Sequence, residues 1–165
     1  MSIEIWITFV AASIILLSIP GPTILTVISY SMSHGHKAKI PLISAVALGD
    51  STALALSLLG LGVLLAESAF WFQAVKWVGG LYLIFLGIKL FMAGVKPPTI
   101  NKSEQQTSNW QLFANTYLVT ALNPKGIIFF VAFLPQFINT HSEVTHQLWL
   151  LAITFVLLAS LNATI

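Results

Sequence analysis

The feature that most constrains this chain is its succession of long apolar runs. Five stretches pass about 18 or more residues with few charges, the length that carries a helix across the hydrocarbon core of a bilayer. They are Ile5–Met32, Ile40–Ala66, Phe70–Val95, Leu112–Ile138 and Leu148–Ile165. Composition agrees: 57% of the 165 residues are hydrophobic and 7% are charged, against about 25% charged in an ordinary soluble domain. So few charges cannot cover a water-soluble surface. The expected fold class is an all-α polytopic membrane protein, a helical bundle of five spans in a lipid bilayer. The first run is not expected to be a cleaved signal peptide, because Met1-Ser2-Ile3-Glu4 has no positive start and the apolar stretch is too long.

The polar residues exclude several classes of function. Cysteine is absent, which removes disulfides, thiolate metal sites and thiol redox relays. The net charge of +2 rests on lysine, with no arginine and no basic patch, so no nucleic-acid partner is expected. The sequence contains no HExxH, no GxSxG, no phosphate-binding glycine loop and no carboxylate pair at acid/base spacing. Neither an enzyme nor a cofactor is expected. His34-Gly35-His36 has the look of a chelate but falls in a turn without a nearby carboxylate. An interfacial role suits it better than metal, as it does His141 and His146.

Lysine placement sets the orientation, because lysine-rich loops stay cytoplasmic. Lys37 and Lys39 lie in the first connection and Lys96 and Lys102 in the third, with Lys89 at its edge; Glu4, Glu67 and Glu143 mark the other side. The amino terminus is expected outside. The polar, proline-punctuated segment after Val95 reads as a cytoplasmic loop. Residues 1–165 are then expected to form one transmembrane domain: 1–95 a three-span repeat, 96–110 the loop, and 111–165 an incomplete second repeat.

Two helix breaks support that division. Pro20-Gly21-Pro22 interrupts the first span and Asn123-Pro124-Lys125 the fourth. Proline removes a backbone donor and clashes with the carbonyl four residues back, while glycine permits unusual backbone angles. A single proline kink is common, and that reading stays open for each break alone. Two breaks at matching places in two halves fit an inverted repeat whose broken helices meet near the midplane and line a substrate pathway. A 3+3 arrangement needs six spans, and the chain is expected to have been cut short after five.

Asp50 follows Ile40 by ten residues, about 15 Å along the second span and close to the membrane centre. A carboxylate there must be paired, hydrated or protonated, since its charge costs at least about 2.5–3.5 kcal/mol. Lys125, 13 residues after Leu112, reaches a similar depth at about 20 Å. The two residues form either an ion pair that only registers helices or a proton and amine site beside a broken helix. Lys76 is a secondary candidate, about 9 Å deep, whose ammonium can reach the outer interface. Ala45, Gly49, Ala53 and Ser57 recur every four positions, a small-residue stripe for close helix packing; Asp50 sits on the adjoining face, pointing to the bundle. Gly79, Gly80 and Gly87 offer the third span a similar surface.

Three segments together resemble the lysine exporter (LysE) family of amino-acid efflux permeases, and more closely its homoserine/threonine exporter branch. They are Ser18-Ile19-Pro20-Gly21-Pro22-Thr23 with the later His34-Gly35-His36-Lys37-Ala38, the stretch from Val75 to Gly87, and Asn123-Pro124-Lys125-Gly126-Ile127-Ile128-Phe129-Phe130 running to Pro135-Gln136-Phe137. The resemblance implies a bacterial inner-membrane exporter of amino acids or related small metabolites. It also implies six spans, use of the proton gradient and assembly into oligomers. Matching the family's motifs singles out Pro20, Gly21, Pro22, Asn123, Pro124 and Lys125. The competing reading is a non-transporting membrane component that needs another chain.

Overall fold

The computed structural model describes residues 1–67, 108–139 and 142–164, together with nine helical positions between 70 and 92. Every regular element among them is helical. Helix α1 is Ile3–Ser18, α2 is Pro22–His34, α3 is Lys39–Glu67, α4 is Asn109–Ala121, α5 is Pro124–Ile128 and α6 is Val144–Asn162. A 3-10 turn, Gly35–Ala38, joins α2 to α3, and α5 continues through a π-helical stretch, Phe129–Phe133, into a 3-10 turn, Leu134–Phe137. Most of the third span lies outside the described residues. Its nine described positions are all apolar, and all but Ala74 are exposed.

Local chemistry explains where these helices begin. Ser2 caps α1 by accepting the Ile5 amide, and Ser108 forms a capping box with Gln111 at the start of α4. Side-chain oxygens satisfy helix-start amides that have no partner within the helix. Both mid-span restarts use the same device: Pro22 opens α2 and Pro124 opens α5, positions where a missing amide hydrogen costs nothing. At the α2–α3 turn Gly35 has φ 57° and ψ −141°, a combination that side-chain-bearing residues avoid.

Pro22–Gly60, Asn109–Phe137 and Val144–Asn162 are long and apolar enough to cross a membrane. At 16 residues, α1 rises about 24 Å and needs α2 to complete a span. The first and fourth spans run side by side in opposite directions. Phe9 packs edge-on against Phe137, Lys125 meets Ile19, Asn123 meets Thr23, and Asn115 meets Tyr30. Each advance along one span matches a retreat along the other, and the two breaks fall at the crossing point.

The small-residue stripe is buried as expected. A Cβ on Gly49 would lie 2.7 Å from the Thr120 Cβ and 3.2 Å from the Ala121 amide nitrogen. Helices α3 and α4 therefore touch backbone to side chain at this point. An aromatic core fills the half of the bundle on the α1 side of the breaks. Phe155 packs against Phe130 at 4.8 Å and Phe129 at 5.4 Å, and Phe133 against Phe137 at 5.0 Å.

Candidate functional site

The first break leaves carbonyls that need donors. A residue at position 20 would normally donate to Leu16, but proline cannot, and the chain leaves the helix before Gly21 can serve Leu17. The structure supplies replacements from far along the sequence. Lys125 Nζ donates to the Leu16 carbonyl at 2.9 Å and to the Ile19 carbonyl at 2.7 Å. Asn162 Nδ2 donates to the Leu17 carbonyl at 3.3 Å, and the Ile19 amide also reaches Leu16. Buried backbone groups rarely go unpaired, and here Lys125 of α5 and Asn162 of α6 supply donors to the Leu16, Leu17 and Ile19 carbonyls.

The second break is built by Asn123. Its Oδ1 accepts the Lys125 amide, capping α5, while its Nδ2 donates to Thr23 Oγ1 at 3.0 Å. One buried side chain thus ties the restart of one broken span to the restart of the other.

Between the breaks lies a cavity of about 30 Å³, lined by Gly21, Thr23, Asp50, Asn123, Lys125 and Asn162 with an apolar wall that includes Leu16, Val46, Phe155 and Ala159. That volume suits about one water molecule. Asp50 and Lys125 are 8% and 7% exposed, and their opposite charges attract across the cavity. Among the described residues no donor or cation lies within hydrogen-bond or ion-pair distance of the Asp50 carboxylate. The direct ion pair considered from sequence is not made, because the lysine is turned to the α1 carbonyls.

The candidate residues divide accordingly. Asp50, Gly21, Asn123 and Lys125 converge on one cavity, whereas Pro20, Pro22 and Pro124 are exposed and shape the backbone from outside it. Gly21 differs from its expected role. Its φ of −122° and ψ of −179° are ordinary extended values, so conformational freedom is not what the position uses. A Cβ there would sit 3.3 Å from both Cε and Nζ of Lys125; the position demands space. Lys76 lies outside the described residues, as do Lys89, Lys96, Lys102, His141 and the glycines at 79, 80 and 87. His34 and Tyr30 lie edge to face, with the His34 Nδ1 3.3 Å from the Tyr30 carbonyl.

Sequence reasoning missed Thr23 and Asn162 as site residues. Asn162 carried a usable signal, an amide in an otherwise apolar run. It also missed the π-helical stretch that follows α5. No local pattern announces such a stretch, though π segments recur at functional sites.

Comparison with known proteins identifies the class. Residues 14–161 match the LysE type translocator family. An uncharacterised membrane protein of Vibrio cholerae is 31% identical over 156 residues, covering 94% of this chain and 76% of that protein. The homoserine/homoserine lactone efflux protein of Salmonella typhimurium is 30% identical over 156 residues, 94% of this chain and 75% of its own length. An uncharacterised Bacillus subtilis membrane protein is 30% identical over 164 residues, 94% of this chain and 78% of its own. No solved structure matches. The fold class and these matches define a membrane-embedded transporter. The chain belongs to the LysE type translocator family.

Proposed function

We propose that this protein exports amino acids or closely related small metabolites across the bacterial inner membrane, by alternating access around the cavity between the two breaks. The observation that carries the reading is the meeting of an acid and a base, Asp50 and Lys125, in one cavity where two interrupted helices cross. Buried ionisable groups within membrane spans are costly and mark solute or proton paths. A zwitterion complements them. Its carboxylate takes the Lys125 donor left after two of three are used, together with free amides at the start of α2. Its ammonium goes to Asp50. Protonation of Asp50 from the outer side then releases the amine and couples export to the proton gradient.

A cavity of about 30 Å³ is smaller than an amino acid, so loading requires its wall to open and the cavity to widen. The antiparallel crossing of the first and fourth spans supports an inverted repeat, with residues 1–95 and 111–165 as its halves. Lys37 and Lys39 in the exposed α2–α3 turn support an amino terminus outside. The name of the Salmonella relative makes homoserine the first substrate to test.

The test is efflux of preloaded radiolabelled homoserine and threonine from cells producing this chain, with and without a proton gradient. Gradient-stimulated efflux that Asp50→Asn makes indifferent to the gradient is the expected result. Normal coupling in Asp50→Asn would remove Asp50 from that role, and stable insertion without flux of any amino acid would favour a non-transporting component.

A further inference from the structure

The polar cavity has a thin wall on one side and a thick one on the other. A groove of about 640 Å³ runs along α2, past Val27, Ser31 and Gly35 to Lys39. From Ile24 to Gly35 it covers about 17 Å at 1.5 Å per residue, which links the helix break to the α2–α3 turn. Leu17, Ile24 and Asn162 line both this groove and the cavity that holds Asp50 and Lys125. On the opposite side stands the phenylalanine cluster, with Phe9, Phe129, Phe130 and Phe155 at 0–2% exposure.

We propose that solute reaches the Asp50–Lys125 cavity through this groove and that Leu17, Ile24 and Asn162 form its gate; the inference rests on the cavity being the substrate site. The two walls differ in what must move. Opening through the aromatic side means separating several interlocked rings, among them Phe129–Phe130, Phe129–Phe155 and Phe130–Phe155 at 4.8–6.0 Å. Opening through the groove side means shifting two aliphatic side chains and releasing one hydrogen bond. That bond, from Asn162 to the Leu17 carbonyl, spans 3.3 Å, against 2.7 and 2.9 Å for the bonds from Lys125 to the same helix end. The longer bond is the weaker one. Its release frees Leu17 while Lys125 still holds Leu16 and Ile19, so the gate can open without dismantling the break. At the far end of the groove, His36 and Lys39 present donors to the carboxylate of an entering zwitterion.

The chain lacks cysteine, which gives a clean test. Ala159 lines the cavity and is 2% exposed. Ala159→Cys is reconstituted in vesicles and treated with a membrane-impermeant sulfonate-bearing thiol reagent from each side in turn. Lys37→Cys, exposed in the α2–α3 turn, reports which side that turn occupies. Labelling of Ala159→Cys is expected from the Lys37 side. It should accelerate about three- to tenfold when Asn162→Ala or Leu17→Ala is added, the effect of one ordinary hydrogen bond or contact on an opening equilibrium. Labelling from the opposite side, or an unchanged rate in both gate variants, would overturn the proposal. The readout needs no substrate, so failure of the export reading would appear separately, as absent efflux with this labelling pattern intact.

Discussion

The ammonium of Lys125 lies 2.7 Å from the carbonyl oxygen of Ile19, so the restart of one broken helix caps the end of another 106 positions earlier. This bond and its neighbour to Leu16 make the lysine part of the architecture of the break as well as part of the cavity. Asp50 stands differently, with a charge in the same cavity and no hydrogen bond of its own among the described residues.

That asymmetry predicts unequal losses. Lys125→Met removes the side-chain donor to the Ile19 carbonyl and leaves Asp50 without a counter-charge. It should cost about 2 kcal/mol or more. Asp50→Asn keeps the shape, and Lys125 retains both its carbonyl partners, so the melting temperature in detergent should stay close to that of the parent. In the double variant Asp50→Asn should recover part of what Lys125→Met loses. Equal destabilisation by the two single changes would mean that a direct ion pair holds the site together.

Gly21→Ala tests space against conformation. Its backbone angles suit alanine, yet the new Cβ would press on Lys125 at 3.3 Å. Export should fall while the thermal midpoint changes little, and Gly21→Val should abolish export. If Gly21→Ala exports like the parent, the ammonium tolerates displacement and its present position is not required.

At the crossing of α3 and α4 the margin is smaller. Gly49→Ala would bring a Cβ to 2.7 Å from the Thr120 Cβ and 2.9 Å from its Cγ2. Overpacking of this kind costs about 1–3 kcal/mol. Thr120→Gly should restore part of the loss in the double variant, although it has its own helix cost of about 0.3 kcal/mol. Thermal unfolding of the four proteins measures the coupling, and simple additivity would contradict a clash between these two positions.

Asn123 serves both breaks, which separates two contributions. Asn123→Ala loses the α5 cap and the bond to Thr23 together; the cap alone is worth about 1 kcal/mol. Thr23→Val loses the inter-span bond, about 0.6 kcal/mol within a membrane. Asn123→Ala should therefore lower the melting temperature clearly more than Thr23→Val. Equal shifts would show that the cap contributes nothing.

Much of this architecture was legible in the order of residues. Apolar runs near Ile5, Ile40, Leu112 and Leu148 became helices because hydropathy and 3.6-residue periodicity are properties of neighbours along the chain. Pro22 and Pro124 announced helix restarts for the same reason, and the spacing of Ala45, Gly49, Ala53 and Ser57 foretold a buried stripe. Depth also followed from counting residues, which brought Asp50 and Lys125 to one level.

What the order of residues could not decide is who answers the broken helix. Pro20 determines that the Leu16 carbonyl loses its usual donor, but Lys125 and Asn162 reach the break only through the packing of spans more than 100 positions away. The same packing turned Gly21 from a flexible joint into clearance for an ammonium, and joined Asn123 to Thr23. Sequence by itself determined a membrane-spanning helical chain with two interruptions and two mid-depth charges, because these depend on local sterics and hydropathy. Tertiary structure alone decided that the charges share a cavity without pairing, because hydrogen-bond partners are chosen by distance in space and each donor serves the nearest unsatisfied carbonyl.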